Sequence, residues 1–216
     1  MDQASKVVDI AVLAYDGVDE LDLFGAWSVL RKAMEVERKE AQPQLRITLA
    51  GQQPTVRGSG GILFDVTSPL ASLANSRAVL IPGGRGARSA ASNKMVVDAL
   101  TDVLNRGGRL YCVCTGSLIA AATGLARASR LAIHRNKREL LLDFPVDDIR
   151  CGFVRDGQFV SIGGDLSPAV KSVDLAFAVL QDLAPYAIAP VAERMEVVPQ
   201  RAYDANDADP AGRATQ

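Results

Sequence analysis

The stretch Arg109-Leu-Tyr-Cys-Val-Cys-Thr-Gly-Ser-Leu-Ile-Ala-Ala-Ala-Thr-Gly124 decides the fold. Its first half is a short apolar run of the kind carried by a strand buried on both faces. Its second half predicts a helix, and the two meet at a sharp turn that holds Cys114. A cysteine at the start of a helix meets unpaired backbone N–H groups and the positive end of the helix dipole, which favour thiolate over thiol. Inside a strand or in mid-helix the same residue would be a small inert hydrophobe.

Outward from this turn the chain alternates between strands and helices. Val7–Ala14, Leu45–Gly51 and Ala78–Ile81 are apolar, β-branched runs expected as buried strands. Leu23, Trp27, Leu30 and Met34 recur at helical spacing, and a second helix is predicted from Lys94 to Asn105, closed by Gly107-Gly108. Gly58-Ser-Gly-Gly61 lies between Thr55–Arg57 and Ile62–Val66. That pattern predicts a hairpin rather than a phosphate loop, because no helix or Lys-Ser/Thr follows it.

Beyond Gly124 the expected elements are a strand at Leu131–Ile133 and a short helix from Asn136 to Leu142. A hairpin of Arg150–Val154 with Gln158–Ile162, a helix from Pro168 and an amphipathic piece over Val191–Val198 follow. Such alternation implies right-handed crossovers and an α/β fold, a three-layer α/β/α sandwich around a mostly parallel sheet. Residues 1–203 are expected to form one domain, with 204–216 as a loose polar tail.

The 216 residues are 48% hydrophobic, enough for a substantial core. The formal net charge of -1 provides no global field for nucleic acid or an anionic membrane, so neither is expected as a partner. The N-terminus lacks the regions of a signal peptide and no apolar run reaches the length of a membrane span, which leads us to expect a cytoplasmic protein. Three cysteines, Cys112, Cys114 and Cys151, argue against a disulfide framework. With one histidine and no Cys-x-x-Cys spacing, a metal site is not expected.

In a parallel sheet ligands sit outside the carboxyl ends of the strands. Three segments end there: Asp16–Asp22, Pro82–Gly86 and Cys114–Gly116. Cys114 is the candidate nucleophile for a small-molecule substrate, and Thr115 offers a hydroxyl and an N–H beside it. Gly83 and Gly84 allow a close approach of backbone to ligand, and the amides of Gly84, Arg85 and Thr115 are candidate donors to developing negative charge. Asp22 is either a helix N-cap or a partly buried carboxyl whose pKa rises beside the thiol, making it a proton shuttle. Asp16, Asp19 and Glu20 are expected as solvated turn residues. His134 is the sole imidazole able to pair with the cysteine, or else a polar cap on its strand.

Val79-Leu-Ile-Pro-Gly-Gly-Arg-Gly86 followed by Val113-Cys-Thr-Gly-Ser-Leu118 resembles the ThiJ/PfpI superfamily. The resemblance implies a flavodoxin-like fold, similar to class I glutamine amidotransferases, with the cysteine at a nucleophile elbow. Glu20-Leu-Asp-Leu-Phe-Gly25, Cys114–Leu125, Gly163-Gly164 and the ending Glu193-Arg-Met-Glu-Val-Val-Pro199 look most like its isocyanide hydratase branch. That branch is dimeric and cofactor-free and hydrates an isocyanide to an N-substituted formamide. The resemblance assigns Cys114 as nucleophile through a thioimidate, Asp22 as proton shuttle and Thr115 as the residue that orients Asp22 or the intermediate. Arg85 and Arg135 depart from the hydratase pattern, and an arginine at the pocket mouth favours an anionic or polar substrate. Similar domains elsewhere bind effectors without catalysis or act in redox and reactive-carbonyl stress, and these are the alternative functions.

Overall fold

The computed structural model describes residues 7–166 and 170–199. Strand β1 (Val7–Ala14) leads into helix α1 (Glu20–Met34) and strand β2 (Gln44–Gly51). A small hairpin of β3 (Thr55–Arg57) and β4 (Leu63–Asp65) precedes the short edge strand β5 (Ser68–Pro69). Next come β6 (Ala78–Ile81), α2 (Ala87–Ala91), α3 (Lys94–Asn105), β7 (Arg109–Val113) and α4 (Gly116–Ala121). The remaining elements are β8 (Arg130–Ala132), β9 (Asp148–Arg150), β10 (Gly152–Asp156), β11 (Phe159–Gly163), α5 (Lys171–Leu183) and α6 (Ile188–Met195).

The central sheet runs in the order β10-β11-β7-β6-β1-β2-β5. All neighbours are parallel except β10 and β11. Helices α1, α5 and α6 cover one face, and α2, α3 and α4 the other. Both faces being covered explains the unbroken apolar runs: every residue of β6 and of β11 is buried, as are Ile10 to Ala14 of β1. This is the expected three-layer sandwich.

Helix α1 shows how local sequence and packing agree. Leu23, Ala26, Leu30 and Ala33 are spaced to bury one stripe. Asp19 caps the helix by accepting the Asp22 N–H at 3.1 Å, and Arg31 and Lys32 complement the dipole in the last turn. The C-terminus of α3 is closed by the Gly107 and Gly108 N–H groups, which return to the Leu104 and Val103 carbonyls.

Some boundaries differ from expectation. Arg150 belongs not to the last hairpin but to β9, which pairs in parallel with β8 outside the main sheet; the hairpin strand starts at Gly152. The short helix expected after His134 is a 3-10 helix, Arg135–Leu141, starting and ending one residue earlier than expected. The last helix ends at Met195, before Val198. Pro168 and the tail from 204 lie outside the described residues.

Candidate active site

β1, β6 and β7 end side by side, and the loops that follow them are tied together by backbone. The buried Tyr15 hydroxyl donates to the Pro82 carbonyl at 2.7 Å, the Asp19 N–H to Gly83 at 2.8 Å and the Gly86 N–H to Gly17 at 3.0 Å. Gly84 forms a β-bridge with Val18 at φ +146°. A Cβ there would stand 2.6 Å from the Asp19 nitrogen and 2.7 Å from the Val18 Cα, so only glycine lets the two loops meet.

Cys114 follows the last residue of β7 and has φ +49°, a conformation that non-glycine residues rarely adopt. Its N–H donates to the Ile162 carbonyl at 2.9 Å, which fixes the turn to β11. Strain of this kind costs about 1–3 kcal/mol and persists where the surroundings impose it. The fully buried neighbours Val113, Ile119 and Ala120 supply that constraint.

The thiol faces a cleft of about 890 Å³ lined also by Asp22, Thr115, Gly84, Arg85 and His134. Gly83 lies behind them, buried, and its N–H donates to Asp22 Oδ2 at 3.1 Å. A Cβ at Gly83 would come within 2.8 Å of Asp22 Oδ2 and 3.1 Å of Thr115 Oγ1. The missing side chain is what lets Asp22, from the first turn of α1, and Thr115, just before α4, share one corner of the cleft.

Burial raises the Asp22 carboxyl to about 6, helped by the negative charge of Asp19 and opposed by the Gly83 N–H and by Lys171. The Cys114 thiol is pushed up to about 12, first by burial and then by the Asp22 carboxylate, with Lys171 opposing. The expectation that the helix start would favour the thiolate is therefore corrected. Cys114 precedes a helix of one and a half turns and sits in a half-buried pocket with a carboxylate beside it. At neutral pH the proton rests on sulfur and the adjacent base is ionised.

Two of the candidate amide donors are occupied. The Gly84 N–H donates to Thr115 Oγ1 at 2.9 Å, while Thr115 donates to the Gly84 carbonyl at 3.2 Å. The Arg85 N–H donates to Ser59 Oγ at 3.3 Å. His134 is exposed, and its Nδ1 accepts the Asn136 N–H at 3.2 Å, so it caps the 3-10 turn. Asp22 lies inside α1 and is not its N-cap.

Sequence reading missed four contributors. Asp19 is the N-cap of α1 rather than a solvated turn residue. Glu20 accepts the Gly60 N–H at 2.8 and 3.0 Å and so holds the Gly58–Gly61 loop as one wall of the cleft. Lys171, the first residue of α5, pairs with Asp165 at 2.6 Å, and both act on the Cys114 charge. A signal existed for these two, since β11 also ends at this edge of the sheet. Cys112 is buried in β7, Cys151 is exposed, and all three cysteines are free. Among the described residues no cluster of three or more His, Cys, Asp or Glu could hold a metal, and no helix is long and apolar enough to cross a membrane.

The isonitrile hydratase of Pseudomonas putida is 24% identical over 208 residues, covering 96% of this chain and 86% of that protein. An uncharacterized Streptomyces lividans protein from the cpoL 5' region is 30% identical over 125 residues, 58% of this chain and 86% of its own. Among solved structures, Drosophila melanogaster DJ-1beta superposes with a TM-score of 0.74 at 22% identity, over 90% of this chain and 99% of that one. A ThiJ/PfpI family protein from Pseudomonas syringae also gives 0.74, at 21% identity, over 94% and 80%. The family profile described as DJ-1/PfpI matches residues 8–163, from the first buried strand through the Cys114 turn to the end of β11. With the strained cysteine at the carboxyl edge of a parallel sheet, the chain belongs to the DJ-1/PfpI family.

Proposed function

We propose that the protein hydrates an isocyanide to an N-substituted formamide, with Cys114 as nucleophile and Asp22 as the proton carrier. One observation carries this reading: the cleft pairs a protonated thiol with a carboxyl of pKa about 6, while its single imidazole is engaged elsewhere. The terminal carbon of an isocyanide takes both a nucleophile and a proton, which is the exchange such a pair supports.

As the Cys114 sulfur bonds to that carbon, its proton passes to the ionised Asp22 and on to the same carbon, giving the thioimidate R–N=CH–S–Cys114. Water then adds at the carbon and the nitrogen takes a proton. The C–S bond breaks, the thiol regains a proton and R–NH–CHO leaves. Thr115, locked to Gly84, holds the corner in which Asp22 works. The hydratase among the relatives supports the reaction class.

The high thiol pKa weighs against a redox role, since oxidation needs a standing thiolate. The protein acts as a cytoplasmic homodimer without a cofactor on this reading, and exposed Leu21, Phe24, Ile62 and Leu63 supply apolar surface for the dimer contact. Incubation with an alkyl isocyanide tests the proposal. Wild-type protein forms the formamide and Cys114→Ala does not; no turnover by wild type overturns it.

A further inference from the structure

The cleft carries charges that the hydration chemistry does not use. Arg85, Arg88 and Lys137 line it from two sides: the first two at the start of α2, the third on the 3-10 turn after His134. All three are exposed, and none of their side chains forms an ion pair or hydrogen bond among the described residues. The acidic residues of the same cleft keep their charge, and each accepts a backbone N–H. Glu20 accepts the Gly60 N–H, Asp19 accepts the Asp22 N–H and Asp22 accepts the Gly83 N–H. The charged side chains of this cleft that lack a partner among the described residues are the three cations.

We infer that the site takes a small electrophile bearing a carboxylate or a similar anion, with Arg85, Arg88 and Lys137 receiving the anionic end while the reactive carbon meets Cys114. The inference rests on the hydration reading for the identity of the electrophile and on the charge distribution for its anionic substituent. Arginine offers planar, bidentate recognition of a carboxylate and lysine adds a point charge. Leu118 and Leu140 add apolar wall to the same cleft, which suits a short hydrocarbon linker. The Arg135 side chain does not line the cleft, so this role falls to Arg88 and Lys137 in its place.

Two measurements on the 216-residue chain test this. The first compares isocyanoacetate with its neutral methyl ester. Wild type should favour the anion in kcat/KM by about tenfold or more, and Arg85→Ala/Arg88→Ala/Lys137→Ala should erase that preference mainly through KM. The second needs no turnover: Cys114 is alkylated by iodoacetate or by iodoacetamide, similar in size and different in charge, and the modified peptide is quantified by mass.

At low ionic strength the iodoacetate-to-iodoacetamide rate ratio should fall threefold or more in the triple variant. That difference should shrink in 0.5 M salt. The iodoacetamide rate alone reports whether the variant keeps the site intact, and the single variants Arg88→Ala and Lys137→Ala should move the ratio in the same direction. Formamide from neither isocyanide sinks the hydration reading and leaves the alkylation ratio to decide the anion site. A ratio that falls less than threefold, or a wild type that prefers the ester, overturns the inference.

Discussion

Thr115 holds Gly84 by both of its peptide polar groups, accepting from the N–H at 2.9 Å and donating to the carbonyl at 3.2 Å. The hydroxyl thereby joins the turn after β7 to the turn after β6, and Asp22 is fastened beside them by the Gly83 N–H. Thr115→Val keeps the shape and removes both bonds. Leaving a partly buried N–H unpaired costs about 1–3 kcal/mol. The expected result is that loss in chemical denaturation and a fall of about tenfold or more in kcat/KM as the corner loosens. Thr115→Ser should retain most of both.

Asp22 governs both pH dependence and stability. On the proposed mechanism kcat/KM should fall about tenfold per pH unit below about 6, as the Asp22 carboxylate proposed to take the thiol proton becomes protonated. Asp22→Asn should flatten this limb and lower the rate by about 10²-fold or more.

The same residue should show a trade of stability for function. The folded carboxyl titrates near 6 and the unfolded one near its ordinary 3.8, so between these values the folded state holds more protons. Stability from this group is therefore present at low pH, falls as pH rises from about 4 to 6, and stays lost above. Asn keeps an acceptor for the Gly83 N–H without the buried charge. Asp22→Asn should gain about 1–2 kcal/mol at pH 7, a rise of roughly 2–8 °C in Tm, and the gain should vanish below pH 4.

Gly84→Ala would force a methyl group against the backbone of Val18 and Asp19 at a φ that L residues avoid. The start of α1 must move or the loops must part. A loss of about 3 kcal/mol or more is expected, seen as a drop of roughly 6–12 °C in Tm. Activity should fall further than this loss accounts for, because Asp22 is carried on the displaced turn.

Glu20→Ala removes the carboxylate that holds the Gly60 N–H. Amide hydrogen exchange at residues 58–62 should speed up by about tenfold, while the exchange of β1 and β7 amides stays unchanged.

The fold was legible because its central strands are apolar on both faces. Val7–Ala14, Ala78–Ile81 and Arg109–Val113 read as buried parallel strands, and their carboxyl ends point to the cleft without further information. Cys114, Asp22 and Thr115 could be named for the same reason, each being at the end of such a strand or just after it. Capping was harder to read, since Asp19 and Asp22 stand three apart at one helix start and either could serve as N-cap. The bonds that occupy the Gly84 and Arg85 amides join segments far apart in sequence, so no local pattern announces them. Lys171 and Asp165 reach the site through β11, a strand whose end lies in the same row. Arg88 and Lys137 look like any solvated helix charge until the sheet order brings their segments to one cleft.

Mass analysis of protein quenched during turnover of an alkyl isocyanide tests covalent attack by Cys114 directly. The wild-type protein should carry an added mass equal to one isocyanide, located on the peptide that contains Cys114 and absent from Cys151, and Asp22→Asn should form it more slowly. Formamide produced at the wild-type rate by Cys114→Ser, with no adduct on any cysteine, would contradict covalent attack.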